Sequence, residues 1–440
     1  MNPEPGDVLE LEAGPVATRG GCVARNSDGR VVFVRHTLPG ERVRAVVTSA
    51  TTSYLRADAV EVLHSSPDRV EPPCPHAGPG RCGGCDYQHV APGAQRALKA
   101  FRVAEQLRRV AGIERAVDVE EVPASRTDEA AAEGLGWRTR VRLAVQGDGS
   151  VGYRRHRSHD IEPVATCPVA TEAVMATGVF TARWPGAAEL DVVTGDPPGD
   201  AVVAVVPRRQ DARVQAGDVP VPGPDEVRAG VSVRHTVRRP PAAVHAEAGG
   251  HTFRISAGVF WQAHVGAPAV LLDAVLGLVG PRDGEAVVDL YAGAGLFSVP
   301  LAAAVGPDGR VLAVERAARA CDDLSHNASV AGMAGRCRVL RATVTPELVT
   351  SKIGHPDVVV LDPAREGAGP AVVRAVAAHA ATLRVAVYVA CDPASFSRDC
   401  RVLLDEGWSL AALRAFDIFP MTEHVELVAA FEPPPGAVRS

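Results

Sequence analysis

The sequence has no long uninterrupted apolar run. Its most apolar late stretch, residues 371–390, is broken by Arg374, His379 and Arg384, which argues against a membrane-spanning helix. The opening MNPEPGDVLELEAG lacks the basic-then-apolar pattern of a secretory leader, so a cytoplasmic protein without a membrane association is expected. Positive charge is not in excess either. A formal net charge of -6 excludes indiscriminate coating of nucleic acid, which draws on many phosphate contacts, and confines any RNA recognition to local patches. The cysteines, at positions 22, 74, 82, 85, 167, 321, 337, 391 and 400, are odd in number and do not read as a disulfide framework, so a reducing compartment fits them. What is present is 440 residues, 46% of them hydrophobic and 22% charged, enough for two or three domains with sizeable cores.

From residue 6 to about 64, short valine-rich runs alternate with glycine turns, and Asp28-Gly29 and Pro39-Gly40 mark hairpins, which predicts a small β-barrel. The arginines on its alternate positions suit a solvated face or an RNA contact equally. Residues 95–110 repeat apolar positions at helical spacing with a stop at Gly112, a helix leading into a second domain. Residues 116–135 and 185–224 read as irregular or inserted. Between them, WRTRVRLAVQGDGSVGYRRHRSHDI predicts strands around a Gly-Asp-Gly turn and carries six arginines against two aspartates, the strongest local basic patch.

From about residue 252 the pattern becomes regular α/β alternation. Strands are expected at 286–291, 310–315, 337–341, 357–362 and 386–390, in a mainly parallel sheet buried on both faces. The last two apolar segments should form an antiparallel hairpin at the sheet edge, a feature of methyltransferase rather than dehydrogenase sheets. The expected division is therefore a barrel over 1–65, a central α+β domain with the cysteine cluster and basic patch over 66–251, and an α/β catalytic domain over 252–440.

VVDLYAGAGLFSVPLA places Asp289 at a strand end and Gly293 and Gly295 where the chain turns into a helix, so that backbone can approach a ligand. The next strand ends in Glu315, which suits ribose hydroxyls or a helix cap. No third glycine stands at Ser298 and no phosphate-binding arginine cluster follows, which favours S-adenosylmethionine over a dinucleotide and makes methyl transfer the leading chemistry.

YVACDPASF puts Cys391 at the end of an apolar strand, with Asp392 and Pro393 starting a helix. A thiol at a helix N-terminus is expected to have a lowered pKa, an effect Asp392 opposes; the competing reading is a buried small hydrophobe. Asp362 ends a neighbouring strand and opens into the same crevice or caps a turn. Glu426, between Val425 and Leu427, suits proton transfer because an apolar setting raises a carboxyl pKa, with Glu423 and His424 as adjacent alternatives. CPHAGPGRCGGCDYQH supplies Cys74, Cys82 and Cys85, and Cys167 follows much later; four thiolates hold either zinc or a four-iron cluster, and the spacing leaves both open.

Over nearly its whole length the chain resembles the RNA 5-methyluridine methyltransferase family. The resemblance rests on the TRAM-like barrel, the cysteine cluster, FWQAH, DLYAGAGLFS, LDPAREG, YVACDP and DIFPMTEHVE. It implies a class I S-adenosylmethionine-dependent methyltransferase (Rossmann-like) domain behind a TRAM/OB-like barrel. Gln262, Tyr291, Glu315 and Asp362 would contact the cofactor, Cys391 would be the nucleophile, and Glu426 the base that removes the C5 proton. The substrate would be rRNA or tRNA with the uridine in a loop or flipped out, the enzyme a monomer, and the cysteines ligands of a 4Fe-4S cluster rather than zinc, with a structural or RNA-positioning role. Asp392 stands where asparagine is usual, Ala390 where serine is frequent, Leu296 where many relatives have asparagine, and His264 replaces the asparagine of the FxQxN text. The competing functions are methylation of another base or a small molecule, and RNA binding without catalysis. The barrel and the Cys391/Glu426 pair count against the first, and the retention of both nucleophile and base against the second.

Overall fold

A computed structural model of the chain describes residues 3–17, 20–124, 134–196, 199–208, 228–233, 236–239 and 241–436. The first sheet holds β1 (Val8–Glu12), β2 (Cys22–Arg25), β3 (Val31–Arg35), β4 (Arg42–Ala50) and β5 (Tyr54–His64) in the order β1-β4-β5-β3-β2. Strand alternation sends Val43 and Ala45 of β4 inward, to a core shared with Val32, Val34 and Leu55, while Arg42 and Arg44 point out. Bulges along β4–β5 bend the pair around that core. Gly29 and Gly40 have φ of +80° and +84°, so both expected turns form where only glycine is unstrained. Glu41, fully buried, ties the barrel to the segment after it. Its carboxylate accepts from Arg69 Nε and Nη2, each at 2.6 Å, and from the Leu38 and Ser66 N–H groups.

The expected helix forms as α1 (Pro92–Gln106) and runs on through a wider turn, Leu107–Ala111, to Gly112. It does not lead into the central unit. Val103, Leu107 and Ala111 pack into the core of the catalytic sheet, and β6 (Val119–Glu121), inside a stretch expected to be irregular, becomes that sheet's outermost strand. The following stretch, 125–133, lies outside the described residues.

The central sheet comprises β7 (Arg140–Val145), β8 (Val151–Arg154), β9 (Ile161–Pro163), β10 (Ala187–Thr194), β11 (Asp200–Pro207), β12 (Arg228–Val233) and β13 (Thr236–Arg239), with α2 (Glu172–Ala176) after β9. Their order is β13-β12-β11-β10-β7-β8-β9. Residues 187–207 thus correct the expectation of irregular structure. Prolines and glycines punctuate the segment, but the runs between them, ELDVVT and DAVVAVV, are apolar enough to form paired, buried strands at the sheet's middle. The rest of that segment, 209–224, lies outside the described residues.

A hairpin, β14 (Ala243–Ala248) and β15 (His251–Ser256), precedes the catalytic sheet. Then follow α3 (Ala267–Val279), β16 (Ala286–Leu290), α4 (Ser298–Ala304), β17 (Arg310–Glu315), α5 (Ala318–Val330), β18 (Cys337–Arg341), α6 (Pro346–Lys352), β19 (Val358–Leu361), α7 (Pro370–Ala377), β20 (Val385–Ala390), α8 (Pro393–Asp405), β21 (Ser409–Asp417) and β22 (Glu426–Glu432). The order is β18-β17-β16-β19-β20-β22-β21-β6, parallel from β18 to β20. Alternate residues serve two cores: Val287, Val358 and Val387 face one side, and Val288, Val359 and Tyr388 the other, which is why these strands read as continuous apolar runs. The antiparallel β21–β22 hairpin forms as expected but is not the edge, because β6 pairs outside it. No helix among the described residues is long and apolar enough to cross a membrane.

Candidate active site

The chain leaves β16 for β17 on one side and, after β18, re-enters on the other side with β19. The order therefore reverses between β16 and β19, and a crevice opens beyond their C-terminal ends, where open α/β sheets bind ligands. A cavity of about 450 Å3 lies there. Gln262, Tyr291, Gly293, Glu315, Asp362, Cys391 and Glu426 all line it. Gly295 does not. Its φ is +97° and an added Cβ would lie 3.0 Å from Leu324, so this glycine lets α4 pack close to α5 rather than meeting a ligand.

The turn after β16 is held from β17. Glu315 Oε2 accepts from the Gly293 N–H at 3.1 Å and Oε1 from the Ala317 N–H at 2.7 Å, so Glu315 faces the cavity and fixes both the turn after β16 and the residue that precedes α5. Tyr291 sits at φ +67°, a conformation side chains other than glycine rarely adopt. Beneath it, Asp289 is fully buried and accepts from Ser298 Oγ, and its other oxygen has no partner among the described residues. Burial pushes Asp289 up to about 7. Asp362 is likewise pushed up to about 7, by burial first and by Asp289 second.

Nucleophile and base candidates come together through sheet register. β20 and β22 pair Ala390 with Leu427, and the next position along the same register sets Cys391 beside Glu426. Glu426 is 3% exposed, and burial, helped by Asp362, holds its carboxyl well above the usual range. The expectation of a lowered thiol pKa does not hold. Burial pushes Cys391 up to about 12, Glu426, Asp362 and Asp392 add to the rise, and only Arg365 pulls it back. Three carboxyl groups and desolvation outweigh one helix terminus.

The neighbouring alternatives to Glu426 are occupied. Glu423 pairs with Arg102 at 3.1 Å, and His424 accepts from Arg365 Nη2 at 2.9 Å. Burial and nearby cations bring His424 down to about 3, so its ring is uncharged at neutral pH.

The cysteine loop also converges. Cys82 pairs with Arg155, and the Gly83 N–H donates to the Arg154 carbonyl at 3.1 Å, which fastens the loop to the end of β8. Cys74, Cys82 and Cys85 each lie within electrostatic reach of Cys167. Among the described residues no three His, Cys, Asp or Glu side chains are grouped to ligate a single metal ion. All nine cysteines are free.

Residues 4–60 match the TRAM domain. Over 437 residues the chain is 44% identical to an uncharacterized RNA methyltransferase of Streptomyces avermitilis, covering 97% of this chain and 99% of that one. Over 434 residues it is 32% identical to the 23S rRNA (uracil(1939)-C(5))-methyltransferase of Pseudomonas entomophila, covering 92% of this chain and 89% of the relative. The chain belongs to the RNA 5-methyluridine methyltransferase family. Its fold is that of the Pyrococcus abyssi tRNA (uracil-54, C5)-methyltransferase solved with S-adenosyl-L-homocysteine, at a TM-score of 0.70 and 20% identity over 96% of this chain and 99% of that one.

Within this family member the unusual residues have defined places. Asp392 caps α8, its Oδ1 accepting from the Ser395 N–H at 2.8 Å, a task asparagine performs equally well. Ala390 is buried in β20, and Leu296 lines the cavity. His264 is buried away from the cavity, stacked on Trp137 with ring centroids 5.6 Å apart. Sequence reasoning missed Arg365, the cation facing both Cys391 and Glu426, although it lies in the LDPAREG text that flagged Asp362. It also missed the aromatic walls Phe297 and Phe419 and the 62% exposed Phe260 at the cavity.

Proposed function

We propose that this methyltransferase transfers a methyl group from S-adenosylmethionine to C5 of a uridine in rRNA or tRNA. The observation that carries the reading is the placement of Cys391 beside Glu426 on a cavity whose far wall is Glu315 and the Gly293 turn. The residues fit the cofactor: Glu315 suits ribose hydroxyls, Phe260 and Phe297 an adenine face, and Gln262, Tyr291 and Asp362 the remaining polar groups. When bound, S-adenosylmethionine supplies an electrophilic methyl group.

Uracil C5 is a weak nucleophile until something adds at C6. Cys391, as thiolate, forms a bond to C6 and pushes electron density to C5. Because the free thiol is held protonated, attack requires that its proton pass to water entering the open crevice, and Arg365 is the cation placed to offset the negative charge this creates. After C5 has gained its methyl group, Glu426 takes the C5 proton and the C6–sulfur bond breaks, which regenerates the thiolate and the aromatic ring. The base must enter the crevice, so the uridine is unpaired or flipped out, and the barrel and basic patch hold the surrounding RNA.

Cys74, Cys82, Cys85 and Cys167 are the ligands we assign to a 4Fe-4S cluster. Support comes from the convergence of three loop thiols on the fourth, since four thiolates are the donor set such a cluster takes, and from the likeness to the family's cluster-bearing members. Its role is structural. The loop's Asp86 and Tyr87 N–H groups donate to the Met421 carbonyl, in the segment leading to Glu426. The enzyme works as a monomer in the cytoplasm.

Incubation with a labelled methyl donor and total RNA, followed by nucleoside analysis, tests the reading: 5-methyluridine is expected, and a different product or none overturns it.

A further inference from the structure

The geometry points to a second RNA site, a cleft between the barrel and the turn joining β8 to β9 that takes one unpaired nucleotide of the substrate away from the target uridine. This rests on the reading of the chain as an RNA enzyme. The cleft has a volume of about 330 Å3, and Phe33, Arg35, Arg56 and Asp58 of the barrel face His156 and Arg157 across it. Single-nucleotide recognition needs a flat face and a positive charge, and this cleft has both.

The flat face is built on β3 and β5. The rings of Phe33 and Tyr54 meet edge-to-face at 5.6 Å, and the Arg56 guanidinium lies over both, 5.6 Å and 5.1 Å from their centroids. A guanidinium held within cation–π range of two rings has a fixed place beside the Phe33 face, and aromatic and guanidinium groups are what splayed-out bases stack on. Arg35, by contrast, is internally compensated, 3.9 Å from Asp58 and 3.6 Å from Asp86. Among the described residues Arg56 has no ion-pair partner, so the cleft keeps positive charge in a chain whose net charge is -6.

The opposite wall is the basic patch singled out in the sequence, which the catalytic cavity leaves unused. Arg157 lines the cleft and holds φ at +52°, a strained backbone for a residue with a Cβ. The turn is fixed from behind by the cysteine loop: an added Cβ at Gly83 would lie 2.9 Å from His156 N, so only glycine fits. That same loop grips Met421 ahead of Glu426. A nucleotide held in the cleft is therefore registered to the base that takes the C5 proton.

The test uses the full chain and the variants Arg56→Ala and Arg157→Asn, asparagine being tolerant of a left-handed backbone. Binding of a short fluorescein-labelled single-stranded RNA is measured across a salt series, with S-adenosylmethionine affinity and thermal midpoint alongside. Each variant should weaken RNA binding roughly tenfold, the order of one stacked base, with midpoint and cofactor affinity unchanged. Loss of a phosphate contact should also lower the salt slope by about 0.7. In methyl transfer the loss should fall on KM for RNA rather than on kcat. Arg56→Lys, which keeps the charge without the plane, should remain weak while retaining the parent slope. Unchanged RNA affinity in both the alanine and the asparagine variant overturns the site. Binding lost in the variants while the parent makes no 5-methyluridine would sustain the cleft and reject the catalytic reading instead.

Discussion

Lys99 Nζ donates to Asp417 Oδ1 at 2.5 Å and to the Phe419 carbonyl at 3.0 Å, and the two side chains are 0% and 5% exposed. The contact joins α1 to the end of β21, just before the loop that delivers Glu426. Gln95 Oε1 accepts from the Met421 N–H at 2.8 Å and Arg102 donates to the Glu423 carbonyl at 2.6 Å, so one helix face holds the whole loop. Lys99→Met should leave Asp417 buried without its partner, at a cost of about 3–5 kcal/mol. Denaturant unfolding would register that loss, and kcat should fall with it. Adding Asp417→Leu should recover most of the stability but not the rate. A single-variant cost below about 1 kcal/mol, within the range of exposed pairs, would show that the pair does not hold the loop.

The two chemical roles separate by the species that accumulates. Cys391→Ala removes the thiol that lines the cavity and would add at C6, so methyl transfer should vanish while S-adenosylmethionine still binds, as calorimetry would report. Glu426→Gln leaves the thiol in place but removes the proton acceptor, so a covalent protein–RNA adduct should persist on a denaturing gel. Full activity in Cys391→Ala would refute the mechanism.

The protonation of Cys391 can be read by alkylation, because only the thiolate reacts. With the thiol up to about 12, the thiolate fraction should rise tenfold per pH unit through the neutral range. Glu426 and Asp392 raise this pKa and Arg365 lowers it. At fixed pH, Glu426→Gln and Asp392→Asn should therefore speed iodoacetamide labelling of the Cys391 peptide, and Arg365→Ala should slow it. Asp392→Asn keeps the α8 cap, so its effect isolates charge from folding. The opposite order, measured by mass spectrometry, would mean that the helix terminus governs the thiol after all.

Strands buried on both faces were readable because their signal is local: β16, β19 and β20 are contiguous apolar runs with a functional residue at each C-terminal end. The site followed from those ends, since the crevice is set by strand direction and order. Non-local pairing left no such mark. β6 is three residues, Val-Glu-Glu, and becomes a strand only because β21, nearly 300 positions away, offers it an edge. The helix before it looked like a connector because amphipathicity shows that a face is buried, not against what. Likewise the raised thiol of Cys391 depends on Glu426 and Asp362, brought in from other strands, which outweigh the local helix argument. Gly295 shows the converse: its place in a glycine-rich turn suggested a ligand contact, and its neighbour Leu324 gives it a packing role.

The cysteine cluster links metal content to catalysis through the same loop. Burial pushes Cys82 and Cys85 up to about 11 and 12, so in the absence of metal both stay protonated at neutral pH, and loading must release their protons. Protein purified without air should contain iron and acid-labile sulfide, and should lose them progressively faster as pH falls, since protons compete for the thiolates. Cys82→Ser should remove a ligand and so release the loop from the cluster, while the backbone bridge between positions 82 and 155 remains. Because Asp86 and Tyr87 hold Met421, proteolysis should then quicken in the segment after Asp417, and kcat should fall while S-adenosylmethionine binding is kept. Zinc in place of iron and sulfide would reject the cluster but leave the anchoring role standing. Undiminished turnover in a metal-free Cys82→Ser enzyme would remove that role as well, and the loop before Glu426 would then owe its position to Gln95, Lys99 and Arg102.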